Sequence, residues 1–302
     1  MMMSILQKIK LIKQKELMHL RKEISLGDKN QIMNESAEPK GFEKALLEKK
    51  DQSYTLITEI KKASPSKGII RENFNPIEIA LSYEKGGGSC ISVLTDKENF
   101  MGSNSYLKDV KRNTRLPVLR KDFIIDPLQV LESRKIGADC ILIIIGMNSV
   151  EDNKKIESLA LDIGLECILE VHSLEELEKT KSFFSNMIGI NNRDLNSFIT
   201  DLNTTANLIK FIPEDYLVIS ESGIFTKNDI KFIMDFEVNS FLIGENFMKS
   251  KNIEVEERNI ALGTWTVQQL QEAVPGARTV PHIFVDDKYV GGFSELKEML
   301  DG

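Results

Sequence analysis

Eight short apolar runs recur along the chain, and no other feature limits its fold as strongly. Runs of this length suit strands buried on both faces of a parallel sheet, and helical patterns fill most of the intervals. The runs are Thr55–Ile60, Cys90–Leu94, Pro117–Leu119, Cys140–Ile145, Glu166–Leu169, Met187–Ile190, Leu217–Ile219 and Phe241–Ile243. Eight strand–helix units predict an α/β fold, the (β/α)8 TIM barrel, which places its chemistry at the carboxyl ends of the strands.

The segments before the first run predict a helical extension of the barrel. Ile5 to Ile24 has helical periodicity, a polar loop follows, and Phe42 to Lys49 is a second helical segment. We therefore assign residues 1–50 to the extension and residues 51–260 to the barrel. Ile9 and Phe42 are apolar and need burial, which favours a cap over one end of the barrel.

Local signals support helices between the runs. Asp126 before Pro127 is an N-cap with proline at the first helical position, and Gly137 ends that helix. Ser173 with Glu176 is the pattern of a capping box. Because a helix follows each strand, the connections are predicted to be right-handed crossovers.

Charge and cysteine content exclude several classes of protein. The net charge of −7 disfavours a general nucleic-acid binder, although it allows a local positive pocket for a small anion. No apolar run has the length of a membrane span, and lysines interrupt the start where a secretory signal would be apolar. We therefore expect a cytoplasmic protein without membrane contact. Cys90, Cys140 and Cys167 have no paired spacing, so they predict buried thiols rather than a disulfide framework or a zinc site.

Charged side chains follow several runs, where a barrel carries its active site. Glu59 and Lys61 are two apart in a strand and share a face, which we expect to line the barrel mouth. Such a pair is costly in a low-dielectric pocket unless the protein uses it; the alternative is a rim salt bridge of little value.

Lysine and glutamate at the ends of separate strands predict acid–base catalysis. Lys121 ends the third strand and Glu170 ends the fifth. We expect neighbouring cations and partial desolvation to lower the pKa of Lys121, which would make it a proton donor near neutral pH. We expect burial to raise the pKa of Glu170.

The last three runs predict groups that hold the substrate. Asn191 and Arg193 share a face after the sixth run, where arginine could hold a carboxylate and asparagine a hydroxyl or carbonyl. Loops after the seventh and eighth strands of such barrels commonly bind phosphate through backbone N–H groups. These two loops contain Glu221, Ser222, Gly223, Gly244 and Glu245. The mouth is predicted to accept a phosphorylated small molecule, without a cofactor or a metal.

Several longer segments resemble the indole-3-glycerol phosphate synthases of tryptophan biosynthesis. They occur in the order of that family between about Ile5 and Ile260, and the helical extension also fits it. The segments are EIKKASPSKG, SVLTD, LPVLRKDFIIDP, GADCILIII, LEVH, IGINNRDL, VISESGI and LIGENFM. The resemblance implies a carbon–carbon carboxy-lyase. Such an enzyme converts 1-(2-carboxyphenylamino)-1-deoxyribulose 5-phosphate to indole glycerol phosphate, with loss of carbon dioxide and water.

The same resemblance implies roles for individual residues. Lys121 would be the general acid in ring closure, and Glu170 the base, or a second acid–base group, in dehydration. Lys61 would bind the anion and join the acid–base chemistry, while Glu59 and Asn191 would orient the substrate and Lys121. The implied substrate-binding residues are Ser64 and Arg193 near the anthranilate side, Pro65 and Phe123 against the aromatic ring, and Ser222, Gly223, Gly244 and the N–H of Glu245 at the phosphate.

Two other interpretations of the barrel are disfavoured by its residues. His172 is close to Glu170 in sequence, but the resemblance gives it no catalytic role, and a structural or supporting role is preferred. A phosphoribosyl-isomerase barrel shares the phosphate loops, but it would be expected to use a cysteine and an aspartate as its acid–base pair. The Glu59–Lys61 and Asn191–Arg193 pairs disfavour it.

Residues 263–302 break the rhythm of the barrel and resemble the carboxyl-terminal half of a glutaredoxin, a short α+β part of a thioredoxin-like fold. Thr279–Pro281 and Gly291–Gly292 match segments near the glutathione site of that family. A thiol–disulfide function needs a thiolate, and no cysteine follows Cys167. The tail is therefore predicted to be redox-inactive.

The tail also predicts its own elements, a helical stretch from Thr266 to Ala273 and strands at His282–Val285 and Tyr289–Val290. About forty residues are too few to bury a good core alone. A glutathione-binding fusion, a fusion remnant and a join made during sequence assembly remain as explanations.

Overall fold

The barrel predicted from the eight apolar runs is present. The computed structural model describes residues 4–48, 54–194 and 197–244, and the backbone of residues 283–285 and 288–291. The strands before residue 245 are β1 (Thr55–Ile60), β2 (Ala63–Ser64), β3 (Gly68–Ile69), β4 (Cys90–Leu94), β5 (Val118–Lys121), β6 (Cys140–Ile144), β7 (Glu166–Val171), β8 (Met187–Asn191), β9 (Leu217–Glu221) and β10 (Ser240–Ile243). Strands β2 and β3 form a small antiparallel hairpin, and the other eight close in chain order into a parallel barrel in which β10 pairs with β1.

Helices precede the barrel and connect its strands. The described helices are α1 (Ile5–Glu23), α2 (Lys29–Glu35), α3 (Phe42–Leu47), α4 (Pro76–Lys85), α5 (Lys97–Phe100), α6 (Asn104–Asn113), α7 (Pro127–Ile136), α8 (Val150–Asp162), α9 (Leu174–Thr180), α10 (Asn203–Leu208) and α11 (Lys227–Met234). Short 3-10 turns lie at Leu26–Asp28, Ile145–Met147 and Ile209–Phe211.

The predicted helix ends differ in how fully they form. Asp126 caps α7 and Gly137, in the left-handed region at φ 92°, ends it as predicted. Ser173 caps α9 by accepting a hydrogen bond from the N–H of Glu176. The reciprocal half of the predicted capping box is absent, because the Glu176 carboxylate accepts from the N–H of His172 instead.

The barrel wall separates two layers of core, since successive side chains of a strand face opposite sides. Ile57, Leu119, Ile168 and Ile219 belong to the inner cluster and are fully buried. The alternate residues of the strands pack beneath the surrounding helices. The three cysteines are buried free thiols, as expected.

The helical extension contacts both ends of the barrel, whereas the sequence favoured a cap over one end. At the amino end, the N–H groups of Phe42 and Glu43 donate to Oε2 of Glu166, the first residue of β7, at 2.5 and 2.8 Å. At the carboxyl end, Lys10 on α1 donates to the carbonyl of Met147 at 3.1 Å, just after β6. Both apolar residues that required burial, Ile9 and Phe42, are buried.

Helix α1 is also held to the barrel wall by a buried lysine. The Lys13 side chain is 2% exposed, and its Nζ lies 2.8 Å from Asp96 Oδ2 and 2.7 Å from Asp122 Oδ1. Burial alone would lower the pKa of Lys13, but these two carboxylates outweigh it and raise the pKa above its ordinary value. The contact joins the extension to the residue that follows Lys121.

The chain divides into two units, Met1–Lys251 and Asn252–Gly302. In the second unit, the backbones of β11 (Ile283–Val285) and β12 (Lys288–Gly291) pair antiparallel, which agrees with the predicted strands. The predicted tail helix and the Thr279–Pro281 segment lie outside the described residues. Within the described part of the chain, no helix combines the length and apolar character of a membrane span, and no cluster of ligand side chains is suited to a metal.

Candidate active site

A cavity of about 200 Å³ opens at the carboxyl ends of the barrel strands. Every predicted site residue except Glu245 lines it, and Glu245 lies outside the described residues. The predicted residues in its wall are Glu59, Lys61, Ser64, Pro65, Lys121, Phe123, Glu170, Asn191, Arg193, Glu221, Ser222, Gly223 and Gly244. Residues predicted from six separate strand ends are therefore brought together in one site.

Lys121 lies between two carboxylates from other strands. Its Nζ is 2.7 Å from Glu170 Oε2 and 2.5 Å from Glu221 Oε2. Burial alone would lower the pKa of Lys121, but Glu170, Glu221 and Glu59 together raise it above its ordinary value. The expectation of a lowered pKa from neighbouring cations is wrong, because the charges nearest to this ammonium are negative.

The two carboxylates beside Lys121 titrate in opposite directions. Burial would raise the pKa of Glu170, but Lys121 and His172 lower it overall, which contradicts the predicted rise. Glu170 also accepts a hydrogen bond from Asn191 Nδ2 through Oε1, at 3.2 Å. Burial, helped by repulsion from Glu170 and opposed by Lys121, raises the pKa of Glu221 to about 7. Of the two carboxyl groups, Glu221 is thus the one whose pKa lies near neutral pH.

Glu59 and Lys61 form an ion pair on the opposite side of the mouth. Glu59 is buried, and the Lys61 side chain is 17% exposed towards the cavity. A Cβ on Gly244 would lie 2.6 Å from Glu59 Oε2, and one on Gly189 would lie 2.4 Å from Glu221 Oε1. Because glycine has no Cβ, these two positions leave room for the buried carboxylates. Gly189 was not predicted to be a site residue.

The chain turns sharply after β9, at the predicted phosphate loop. Ser222 and Gly223 have φ values of 65° and 78°, in the left-handed region. Asn192 Nδ2 holds this turn by donating to the carbonyls of Glu221 and Ser222 at 3.0 and 3.1 Å. Asn192 was not predicted as a functional residue, although it adjoins Asn191 in the sequence.

Parts of the apolar wall come from helices that the sequence did not connect with the site. Ile5, Leu6 and Ile9 on α1 line the cavity, as does Phe100 on α5. The ring centroids of Phe100 and Phe123 are 6.2 Å apart. The apolar face of α1 was the available signal, because it requires a partner surface.

A buried lysine and three carboxylates above a turn suited to phosphate define a class: barrel enzymes that perform acid–base chemistry on small phosphorylated molecules. The family model described as indole-3-glycerol phosphate synthase matches residues 6–260. The chain is 42% identical over 255 residues to the indole-3-glycerol phosphate synthase of Polynucleobacter asymbioticus, which covers 82% of this chain and 96% of that protein. The chain belongs to the indole-3-glycerol phosphate synthase family.

Solved structures with low sequence identity share the barrel. The N-acetylmannosamine-6-phosphate 2-epimerase of Clostridium perfringens aligns with a TM-score of 0.51 and 16% identity, over 65% of this chain and 89% of that one. KGPDC of Streptococcus mutans aligns with a TM-score of 0.50 and 14% identity, over 67% and 92% of the two chains. These likenesses support the fold alone.

The family assignment confirms the predicted fold, function and enzyme class. The chain functions as a carboxy-lyase of tryptophan biosynthesis and acts on a small phosphorylated substrate. The same assignment decides against the isomerase alternative.

Proposed function

We propose that Lys121 is the general acid and Glu170 the general base of the synthase reaction. The observation that carries this proposal is the Lys121 ammonium held between Glu170 and Glu221 in the wall of the cavity. In ring closure, the aromatic carbon that bears the carboxylate forms a bond to the ribulose carbonyl carbon. The carbonyl oxygen takes a proton from Lys121, and the carboxylate leaves as carbon dioxide.

Dehydration completes the indole ring. Lys61 protonates the new hydroxyl, which leaves as water, and Glu170 accepts the proton that the ring system loses. The raised pKa of Lys121 suits the first step, because the ammonium keeps its proton until a strongly basic alkoxide develops on the substrate. Glu221, partly protonated near neutral pH, orients Lys121 rather than contacting phosphate.

The remaining wall residues bind the substrate. Lys61 attracts an anionic group, and Glu59 and Asn191 orient the reacting parts through Lys61 and Glu170. The phosphate is bound at the turn after β9 and beside Gly244. The other proposed contacts are Ser64 and Arg193 near the anthranilate carboxylate, and Pro65, Phe123 and Phe100 against its ring.

Two further proposals concern the setting of the enzyme. The biosynthetic chemistry of the family supports a cytoplasmic location, and the net charge of −7 disfavours a nucleic-acid partner. Residues 263–302 resemble part of a glutaredoxin, but no cysteine follows Cys167, which supports a redox-inactive tail.

Turnover of Lys121→Ala and Glu170→Gln tests the assigned roles. Each change should lower kcat roughly 10²-fold or more, as expected for lost acid–base catalysis. The fluorescence of indole glycerol phosphate reports the rate, and thermal melting checks that each variant folds. Lys179→Ala and Glu175→Gln are matched controls, since these residues form an exposed pair on α9. Activity within a few-fold of the parent in either site variant contradicts its role.

A further inference from the structure

His172 places its imidazole between two carboxylates. Nδ1 lies 3.2 Å from Glu176 Oε2, and Nε2 lies 3.4 Å from Glu170 Oε1. The backbone N–H of His172 donates to the same Glu176 oxygen at 2.7 Å. The ring is 15% exposed and is not part of the cavity wall. Any effect of His172 on the reaction must therefore pass through Glu170.

The positions of the protons follow from the two neighbours. An ionised carboxylate only accepts hydrogen bonds, so Glu176 fixes a proton on Nδ1. A neutral ring would then turn the lone pair of Nε2 towards Glu170, and the two groups would repel. Nε2 is buried and makes no hydrogen bond within the described part of the chain. A second proton on Nε2 converts this repulsion into an attraction between imidazolium and carboxylate.

The charges around the ring favour that second proton. The groups that face it are Glu170 near the end of β7, Glu176 on α9 and Glu221 on β9, while Lys121 lies behind Glu170. Burial would lower the pKa of His172, but Glu176 and Glu170 outweigh it and raise the pKa above its ordinary value. The imidazolium is present below this raised pKa and is lost as the pH rises through it.

We propose that His172 is a positioning residue, an imidazolium fixed by Glu176 that holds the Glu170 carboxylate aligned for its work as a base. The inference rests on the proposed role of Glu170. It extends the list of residues that serve the reaction to a side chain that does not touch the substrate.

Gly146 supplies a second observation on the contacts that link Glu176, His172 and Glu170. It lies in the turn after β6, and a Cβ there would be 2.4 Å from Glu176 Oε1. Glu176 is therefore packed directly on a backbone that has no side chain. The φ angle of Gly146 is not in the left-handed region, so its backbone accepts alanine. The added methyl group would act by displacing the Glu176 carboxylate.

Nuclear magnetic resonance of the ring nitrogens tests the charge of His172 without using activity. In 15N-histidine-labelled protein, His172 should titrate above the ordinary histidine pKa of about 6.5. Glu170→Gln and Glu176→Gln should each lower that pKa, by about one unit. His19, exposed on α1, is the internal control and should not respond. A His172 pKa that is ordinary, or that neither substitution moves, overturns the inference.

The kinetic test uses His172→Gln, whose amide keeps a donor near Glu170 but carries no charge. Without the imidazolium, Glu170 stays ionised near neutral pH but loses a group that aligns it, so kcat should fall roughly tenfold while KM stays within about twofold. The parent kcat should decline as the pH rises through the His172 pKa, and this limb should be absent in the variant. A pH-independent loss of kcat that parallels a loss of thermal stability contradicts the inference and indicates a structural role.

Gly146→Ala separates this inference from the proposed function. It should lower the His172 pKa and reduce kcat in the same direction as His172→Gln, without altering a residue of the cavity wall. Full activity in Glu170→Gln refutes the role of Glu170. An unshifted His172 resonance in both Glu170→Gln and Gly146→Ala refutes only the positioning role of His172.

Discussion

Two buried ion clusters share one strand and differ in how their cations are placed around the carboxylates. The catalytic cluster (Glu59, Lys61, Lys121, Glu170 and Glu221) faces the barrel mouth. The latch cluster (Lys13, Asp96, Arg120, Asp122 and Glu132) lies between α1 and the barrel wall. Because side chains alternate along β5, Lys121 joins the first while Arg120 and Asp122 on either side join the second.

Two carboxyl groups with similar burial, one in each cluster, have pKa values shifted in opposite directions. Burial would raise the pKa of Asp122, but Lys13 and Arg120 lower it to about 2. Glu221 has only the shared ammonium of Lys121 and faces other carboxylates, so its pKa rises to about 7. Each cluster contains two cations and three carboxylates, but Asp122 contacts both cations of the latch cluster, whereas Glu221 contacts Lys121 and shares it with Glu170. The comparison teaches that the placement of cations around a buried carboxylate, rather than burial alone, decides the direction of its pKa shift.

The largest expected effect is on the latch cluster. Lys13→Met removes the buried ammonium and leaves Asp96 without its cation, which should lower the free energy of unfolding by about 3–5 kcal/mol. Urea denaturation at neutral pH measures the loss. The Lys121→Met variant should be less destabilised, because Glu221, whose pKa is already raised to about 7, can take up a proton when the ammonium is removed.

A double variant checks whether the loss at Lys13 arises from charge. Asp96 caps α5 through Oδ1 and meets Lys13 through Oδ2, so Asp96→Asn keeps an oxygen for the cap. Lys13→Met combined with Asp96→Asn should therefore recover part of the lost stability. A single-variant loss below about 1 kcal/mol would mean that solvent screens the latch cluster like a surface pair.

A smaller effect of opposite sign is expected at Glu221. A carboxyl whose folded pKa is raised favours folding while it is protonated, and this advantage is lost as the pH rises through about 7. Glu221→Gln should therefore raise the free energy of unfolding by about 1–2 kcal/mol at pH 9, with little gain at pH 4, below the ordinary glutamate pKa of about 4.3. Its turnover should fall, since Lys121 loses a partner. An equal change at both pH values would remove the contrast with Asp122, which is ionised throughout this range.

Removal of residues 263–302 should have the smallest effect. Both clusters consist of residues before 245, so activity and melting temperature should stay close to those of the full chain. The fluorescence assay and a thermal melt of the truncated chain measure this. A large loss in either would show that the tail contributes to the barrel unit.

The sequence predicted the positions of the site better than its electrostatics. Lys121 and Glu170 could be found because each ends a continuous apolar run, and the barrel brings such ends together. The directions in which the pKa values of Lys121 and Glu170 shift could not be predicted, because Glu221, which contacts Lys121, lies 100 residues away in the sequence. Lys13 was one of several lysines in a charged segment, and only packing against Asp96 shows that it is buried.

The helical extension depends on contacts that are distant in the chain. Phe42 meets Glu166, 124 residues later, and Lys10 meets Met147, 137 residues later. During synthesis the first helices therefore leave the ribosome well before the strands that receive them, and their apolar faces have no native surface to cover. Long-range contacts of this kind form late. Since Ile9 helps to line the cavity, the substrate pocket is complete only after α1, the first helix to be synthesised, has packed against the barrel.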